Sequence, residues 1–169
     1  MSTQSITFQG NPLTLVGTQL NVGDNLNNFT ATTPELEAFE LSNCTSKVKI
    51  ISVAPSIDTP VCEIQVNTLN KTASELDNNI EVITVTADLP FAQARFNNAN
   101  SIKDVKLVSD YKDGNFASTT GTKIAELGIL TRAIFVVDNT NTIQYVEYKS
   151  EITEELDYDA AIAKAKSLV

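Results

Sequence analysis

Residues 48–62 read VKIISVAPSIDTPVC, and this stretch decides the fold that we predict for the chain. Its first half, residues 48–54, is rich in β-branched apolar side chains, which predicts a buried strand. Pro55 and Pro60 lie in the segment that follows and predict a turn there. A helix is predicted over residues 63–76 from apolar side chains near helical spacing, namely Ile64, Leu69, Ala73 and Leu76. The turn therefore delivers Cys62 into the first turn of a helix.

A cysteine at the start of a helix is activated by its position. The first amide N–H groups of a helix have no partner within it, and the helix dipole places partial positive charge there. Both favour the thiolate, which is the nucleophilic form of cysteine. We therefore interpret Cys62 as a nucleophile. Taken alone, however, a cysteine at a strand–helix junction is more often structural.

Four segments of the chain occur in a recognisable order. They read PSIDTPVC at 55–62, ADLPFAQARF at 87–96, TRAIFVVD at 131–138, and EIT followed by DYDAA within 151–161. Together they resemble the bacterial thiol peroxidases, a subfamily of the peroxiredoxins, and the resemblance covers nearly the whole chain. It implies a thioredoxin-like α/β fold of the peroxiredoxin type.

The residues themselves predict the same order of elements. Residues 5–8 and 13–16 flank the turn QGNP and predict an N-terminal β-hairpin. Further strands are predicted at 29–33, 38–41, 80–86, 105–108, 132–137 and 142–146, and further helices at 91–98 and 154–168. The resemblance adds a helical connection over 119–130. No linker or repeat divides the chain, so we predict one domain over residues 1–169.

The resemblance also assigns roles to four residues. Cys62 would reduce hydrogen peroxide and organic hydroperoxides and become a sulfenic acid. Thr59 would hydrogen-bond the thiolate or the bound peroxide, Arg132 would lie beside the sulfur, and Pro55 would shield the sulfur from water. The last three also have plainer interpretations: Thr59 as a helix N-cap, Arg132 as a solvated strand end and Pro55 as a strand terminator.

One position departs from the pattern of the family. Thiol peroxidases usually carry a second, resolving cysteine directly after the segment 87–96, and here that position is Asn97. We therefore predict that an external thiol, either thioredoxin or a small thiol such as glutathione, reduces the sulfenic acid. The alternative is a peroxide sensor in which Cys62 oxidises, turns over little and signals to a partner.

Cys44, the other cysteine, precedes the predicted strand 48–54. An extended strand of that length spans about 23 Å, whereas a disulfide needs Cα atoms within about 7 Å of each other. A bridge between Cys44 and Cys62 would therefore need gross rearrangement. We interpret Cys44 as a buried or half-buried structural residue.

Composition excludes several other functions. A formal net charge of −9 repels nucleic acid. The absence of histidine excludes Ser-His and Cys-His dyads, and no residue cluster has metal-ligand spacing, so we expect no metal or cofactor. No apolar run could span a membrane, and residues 1–6 lack the features of a secretion signal, so we expect a cytoplasmic protein. The resemblance implies a homodimer.

Overall fold

A computed structural model of the protein describes residues 5–169. Residues 1–4, on which the expected cytoplasmic location partly rests, lie outside the described residues. The strands are β1 (Ser5–Phe8), β2 (Asn11–Val16), β3 (Thr30–Thr32), β4 (Ala38–Glu40), β5 (Val48–Val53), β6 (Ile80–Thr86), β7 (Val105–Ser109), β8 (Lys123–Ile124), β9 (Ala133–Val137) and β10 (Ile143–Tyr148). The helices are α1 (Pro60–Ala73), α2 (Pro90–Asn100), α3 (Asn115–Thr120) and α4 (Tyr158–Lys166), with a short 3-10 helix at Leu41–Asn43.

Seven of the strands form one central sheet in the order β10-β9-β5-β6-β7-β3-β4. β5, β6 and β7 are parallel, whereas β9 runs antiparallel to β5 with Val53 opposite Ala133. Every residue of β5 and β9 is buried, as expected for strands covered on both faces. The buried β-branched run at the start of the quoted stretch is therefore the centre of the sheet.

Helices cover both faces of this sheet. On one face, Ile50 of β5 packs in a cluster with Leu69 of α1 and Ala161 of α4. On the other face, Ile51 of β5 packs in a cluster with Phe116 of α3. Consecutive residues of β5 thus belong to different cores, because side chains alternate along a strand. The predicted α/β order of elements is confirmed.

The N-terminal hairpin forms a second, three-stranded sheet in the order β1-β2-β8. Its turn is two residues long, Gln9 and Gly10, with φ of 51° and 80°. Positive φ at both positions suits a turn that matches the twist of a hairpin. Asn11 and Pro12, which we assigned to the turn, belong to β2 instead.

Two helix predictions were wrong in extent. The connection over 119–130 is not helical, because α3 ends at Thr120 and Gly121 follows with φ of 65°. A Cβ on Gly121 would lie 2.6 Å from the carbonyl of Thr18, so this close approach requires glycine. The last helix begins at Tyr158 rather than 154, because the Asp157 carboxylate accepts a hydrogen bond from the Ala160 amide and caps it there.

Within residues 5–169, none of the helices combines the length and the apolar character that crossing a membrane requires.

Candidate active site

The loop after β5 places Cys62 inside the protein. α1 begins at Pro60, three residues earlier than predicted, so Cys62 is its third residue. The Asp88 carboxylate holds the loop by accepting hydrogen bonds from the Ser56 hydroxyl at 2.8 Å and the Ile57 amide at 2.9 Å. The Cys62 side chain has no exposed surface. Its sulfur therefore meets protein groups rather than bulk water.

Arg132 brings its guanidinium to that sulfur. It directly precedes β9, whose register with β5 carries it to the end of β5 from which the Cys62 loop departs. Its Nη2 donates to the Cys62 Sγ at 3.1 Å, and its Nε donates to the Ile152 carbonyl at 2.8 Å. The residue is 2% exposed. The interpretation of Arg132 as a solvated strand end is therefore wrong.

Gln65 completes the arrangement, and sequence reasoning missed it. Its Oε1 accepts from Arg132 Nη1 at 2.5 Å, while its Nε2 donates to the Val53 carbonyl at 3.2 Å. Gln65 lies three residues after Cys62, so both share one face of α1. No sequence signal indicated this role, because only the structure shows that the Gln65 amide is fully buried, where polar groups are nearly always hydrogen-bonded. In contrast, Ile64, which we counted on the apolar face, is half exposed.

The partners of Arg132 are neutral apart from the sulfur. An amide oxygen and a backbone carbonyl fix the guanidinium plane without cancelling its charge. A charged donor beside sulfur stabilises negative charge on it, and hydrogen bonds of this type are the stronger ones. The positive charge is therefore available both to a thiolate and to an oxygen that approaches it.

Thr59 and Pro55, the other two predicted site residues, both lie near Arg132, but neither is shown to contact the Cys62 sulfur. Thr59 is the N-cap residue of α1 by backbone geometry, but its hydroxyl makes no capping bond and donates to the Ser56 carbonyl at 3.1 Å. That pairing is with the loop rather than with Cys62, so the predicted bond to the thiolate is not formed here. Pro55 is buried between β5 and α1, close to Arg132.

A pocket of about 300 Å³ opens beside these residues. Arg132 and Thr59 are among the residues that line it. Most of its wall is apolar and comes from Phe8, Pro55, Val61, Leu127, Ile129 and Ile152. The N-terminal hairpin thus contributes to the same pocket as the arginine. A small molecule with one polar end and one apolar end fits this lining.

Tyr158, at the start of α4, lies near the same charges. Its hydroxyl is buried without a hydrogen-bond partner. Burial raises the pKa of Tyr158 to about 12, while the Arg132 charge opposes that rise. The segment DYDAA was singled out from the sequence, but nothing in it indicated that this ring would lie close to the arginine.

Asn97 and Cys44 lie away from this site. Asn97 lines a larger cavity of about 600 Å³ at the amino-terminal ends of β6 and β7, together with Lys103 and Lys106. Its Oδ1 is buried without a hydrogen-bond partner. Cys44 precedes β5 at the opposite end from Cys62 and is half-buried against the core. Burial, together with the nearby Glu81 charge, raises the pKa of the Cys44 thiol to about 11.

Comparison with known proteins identifies the class. Residues 21–162 match the family model Redoxin. A thiol peroxidase from Bacillus subtilis (strain 168) is 46% identical over 164 residues, which cover 97% of this chain and 98% of that protein. A thiol peroxidase from Halalkalibacterium halodurans is 45% identical over 163 residues, covering 96% and 98%. The crystal structure of a peroxiredoxin-like protein from Aquifex aeolicus superimposes with a TM-score of 0.92 at 36% identity and covers 98% of both chains.

The chain therefore belongs to the Redoxin family and, within it, to the thiol peroxidases. The predicted thioredoxin-like fold of the peroxiredoxin type, with its N-terminal hairpin, is confirmed.

Proposed function

We propose that this protein reduces hydroperoxides with electrons from a thiol and that Cys62 is the nucleophile. The Cys62 thiolate attacks the terminal oxygen of R–O–O–H, so that an S–O bond forms as the O–O bond breaks. The departing oxygen takes up a proton and leaves as water or an alcohol, and Cys62 becomes a sulfenic acid. The contact of 3.1 Å between Arg132 Nη2 and Cys62 Sγ carries this proposal.

Arg132 acts on the peroxide as well as on the thiol. An ordinary cysteine is roughly 3% ionised at pH 7, so complete ionisation raises the thiolate population only about 30-fold. Nucleophilicity also falls as a thiol becomes more acidic. Rapid reduction therefore depends on stabilising the negative charge that develops on the departing oxygen, and preorganised donors do this best. Arg132 provides such a donor, and the Thr59 hydroxyl at the pocket provides a second after a rotation.

The pocket gives the substrate a direction. A hydroperoxide with its polar end at Arg132 would place its alkyl group against the apolar wall that includes Pro55 and Leu127. Pro55 also keeps water from the sulfur, since it is buried at the end of β5. Because the Cys62 sulfur has no exposed surface, the first turn of α1 must move slightly before the peroxide reaches it.

An external thiol completes the cycle. The thiol attacks the Cys62 sulfenic acid, a mixed disulfide forms and water leaves; a second thiol then releases Cys62 as a thiol and departs as a disulfide. The amide of Asn97 at the expected resolving position cannot take this part, and Cys44 lies at the far end of β5. Thioredoxin or a small thiol supplies the electrons. The protein would act as a single domain, as a homodimer and in the cytoplasm.

Asn97 at the expected resolving position also supports a second candidate function. This is a peroxide sensor that oxidises at Cys62 and signals to a partner with little turnover. The two functions differ in reduction rather than in oxidation. A sensor would form the sulfenic acid rapidly but would lack an effective reductant.

Intact-mass measurement after one equivalent of peroxide tests the chemistry. We expect a gain of one oxygen at Cys62 that a sulfenic-acid reagent traps, and no such gain in Cys62→Ser. Turnover with thioredoxin and with glutathione then separates the enzyme from the sensor. Failure of Cys62 to oxidise would overturn the proposed function. An internal Cys44–Cys62 disulfide would overturn reduction by an external thiol.

A further inference from the structure

The Glu151 carboxylate accepts hydrogen bonds from five groups. Three come from the N-terminal hairpin: the Thr7 hydroxyl at 2.6 Å, the Gln9 amide at 3.0 Å and the Gly10 amide at 3.1 Å. Two come from Thr153, whose amide lies at 3.2 Å and whose hydroxyl lies at 2.7 Å. A carboxylate has about four lone-pair sites, so its accepting capacity is filled.

The hairpin turn is shaped to receive this carboxylate. Gln9 and Gly10 both have positive φ, and successive amides in such a turn point into one concavity that binds anions. Positive φ costs energy for Gln9, which has a Cβ. The bonds to Glu151 offset that cost. The hydrogen bonds from Thr7 and Thr153 lower the pKa of Glu151 to about 2, so it remains ionised at any pH at which the protein would be assayed.

The groups that Glu151 binds belong to two walls of the pocket. On one side, Phe8 and Gln9 of the hairpin line it. On the other side, Ile152 and Thr153 line it, and the Ile152 carbonyl also accepts the Nε hydrogen bond of Arg132. The backbone supports the same junction, since the Ile152 amide donates to the Thr7 carbonyl at 3.0 Å.

We propose that Glu151 is a positioning residue that holds the hairpin turn, and with it Phe8, against the pocket, and so determines how well bulky hydroperoxides bind relative to hydrogen peroxide. This inference rests on the proposed function. Phe8 is the last residue of β1 and directly precedes the turn of a separate three-stranded sheet, so its position at the pocket depends on what holds that turn. A bulky peroxide needs that apolar wall, whereas hydrogen peroxide needs only the polar end at Arg132.

The ratio of two rate constants measures this role. Rapid-quench mass spectrometry gives the second-order rate constant for a single oxidation of Cys62 by cumene hydroperoxide and by hydrogen peroxide, without any reductant. We expect the ratio of these constants to fall about tenfold in Glu151→Gln, because the loss of one aromatic contact costs about that much in affinity. A glutamine cannot accept at its nitrogen, which would face the Thr7 hydroxyl and the Gly10 amide.

Asp138→Asn is the matched control. The Asp138 carboxylate likewise organises a hairpin turn, accepting from the Thr140 hydroxyl at 2.7 Å and from the Gln144 amide at 2.7 Å. That turn joins β9 to β10 at the end of β9 away from Arg132. A general loss of stability would affect both variants, whereas the ratio should change only in Glu151→Gln.

Phe8→Ala tests whether Glu151 acts through this ring. We expect Phe8→Ala to lower the ratio as Glu151→Gln does. The ratio in the double variant should be no lower than in Phe8→Ala, because two changes in one contact are not additive.

Thr7→Val removes one of the five bonds and should lower the ratio more mildly, which preserves the test if Glu151→Gln folds poorly. A ratio in Glu151→Gln or Thr7→Val equal to that of the wild type, or full additivity in the double variant, would overturn the inference. Wild-type protein that reacts with neither peroxide would instead overturn the proposed function.

Discussion

The two cysteines lie at opposite ends of β5, and their surroundings differ both in burial and in the partners of the sulfur. Cys62 is fully buried, yet its sulfur accepts a hydrogen bond from the Arg132 guanidinium. Cys44 is only half-buried, but burial and the Glu81 charge raise the pKa of its thiol to about 11. We therefore expect the charge of the nearest partner, rather than burial alone, to decide reactivity, because buried sulfur carries negative charge only where a donor compensates it.

The largest expected effect is on hydroperoxide consumption when each cysteine is replaced in turn. Cys62→Ser should lower hydroperoxide consumption by at least about 10³-fold, because no other nucleophile replaces the sulfur. Cys44→Ser should leave the rate unchanged. Initial rates of peroxide loss with dithiothreitol as reductant measure both. The comparison fails if Cys44→Ser is as inactive as Cys62→Ser.

The next effect concerns the cation beside each sulfur. Arg132→Lys should slow Cys62 oxidation by about 10²-fold, because one ammonium cannot reproduce a planar fork that binds three partners at once. Lys106, whose charge acts on Cys44 and which pairs with Glu81 at 2.6 Å, provides the control. In the Lys106→Met variant, Cys62 should oxidise at the wild-type rate. Equal slowing in both variants would mean that general electrostatics, rather than the Arg132 contact, governs the sulfur.

Gln65→Leu should have a smaller effect, about tenfold on the oxidation rate, because it frees the guanidinium from one of its supports. It should also destabilise the protein by about 1–3 kcal/mol, since Arg132 Nη1 and the Val53 carbonyl lose a buried partner. Gln93→Leu is the matched control: this buried amide of α2 donates to Thr86 at 3.0 Å and to the Val108 carbonyl at 2.9 Å.

Urea unfolding and rapid-quench oxidation of the two glutamine variants separate stability from rate. Both variants should unfold at lower urea concentration. Only Gln65→Leu should also oxidise slowly, and a slow Gln93→Leu would show that the loss of stability itself affects the site.

The smallest effect is the pH dependence that Cys44 contributes to stability. Below about pH 9 this thiol is protonated in both the folded and the unfolded chain, since its ordinary pKa is 9.0. Above that pH the unfolded chain ionises first, because the folded pKa is about 11, so stability should fall as pH rises between these values. Urea unfolding at several alkaline pH values should show a steeper loss in the wild type than in Cys44→Ser. Parallel curves would contradict the assigned environment of Cys44.

Residues 48–62 show how much of the structure a local sequence pattern can predict. The apolar run at 48–54, the prolines and the cysteine predicted a buried strand and a helix with Cys62 in its first turn, and all three are present. The position of Thr59 at the start of α1 was predicted correctly, but its hydroxyl donates to the Ser56 carbonyl rather than to the Cys62 sulfur. Its bond to a bound peroxide stays a prediction. The spacing of apolar residues likewise did not reveal that Ile64 is half exposed and Gln65 buried.

The sequence by itself predicted most of the elements, their order and the place of Cys62 at the start of a helix, because strand and helix patterns and turn residues act over a few neighbours. Only the tertiary structure decided which side chains surround that cysteine. Arg132 meets Cys62 across 70 positions of chain, and Glu151 meets Thr7 across 144. Such pairs follow from the antiparallel register of β9 against β5 and from the docking of the hairpin, and these depend on how whole elements pack rather than on any local spacing.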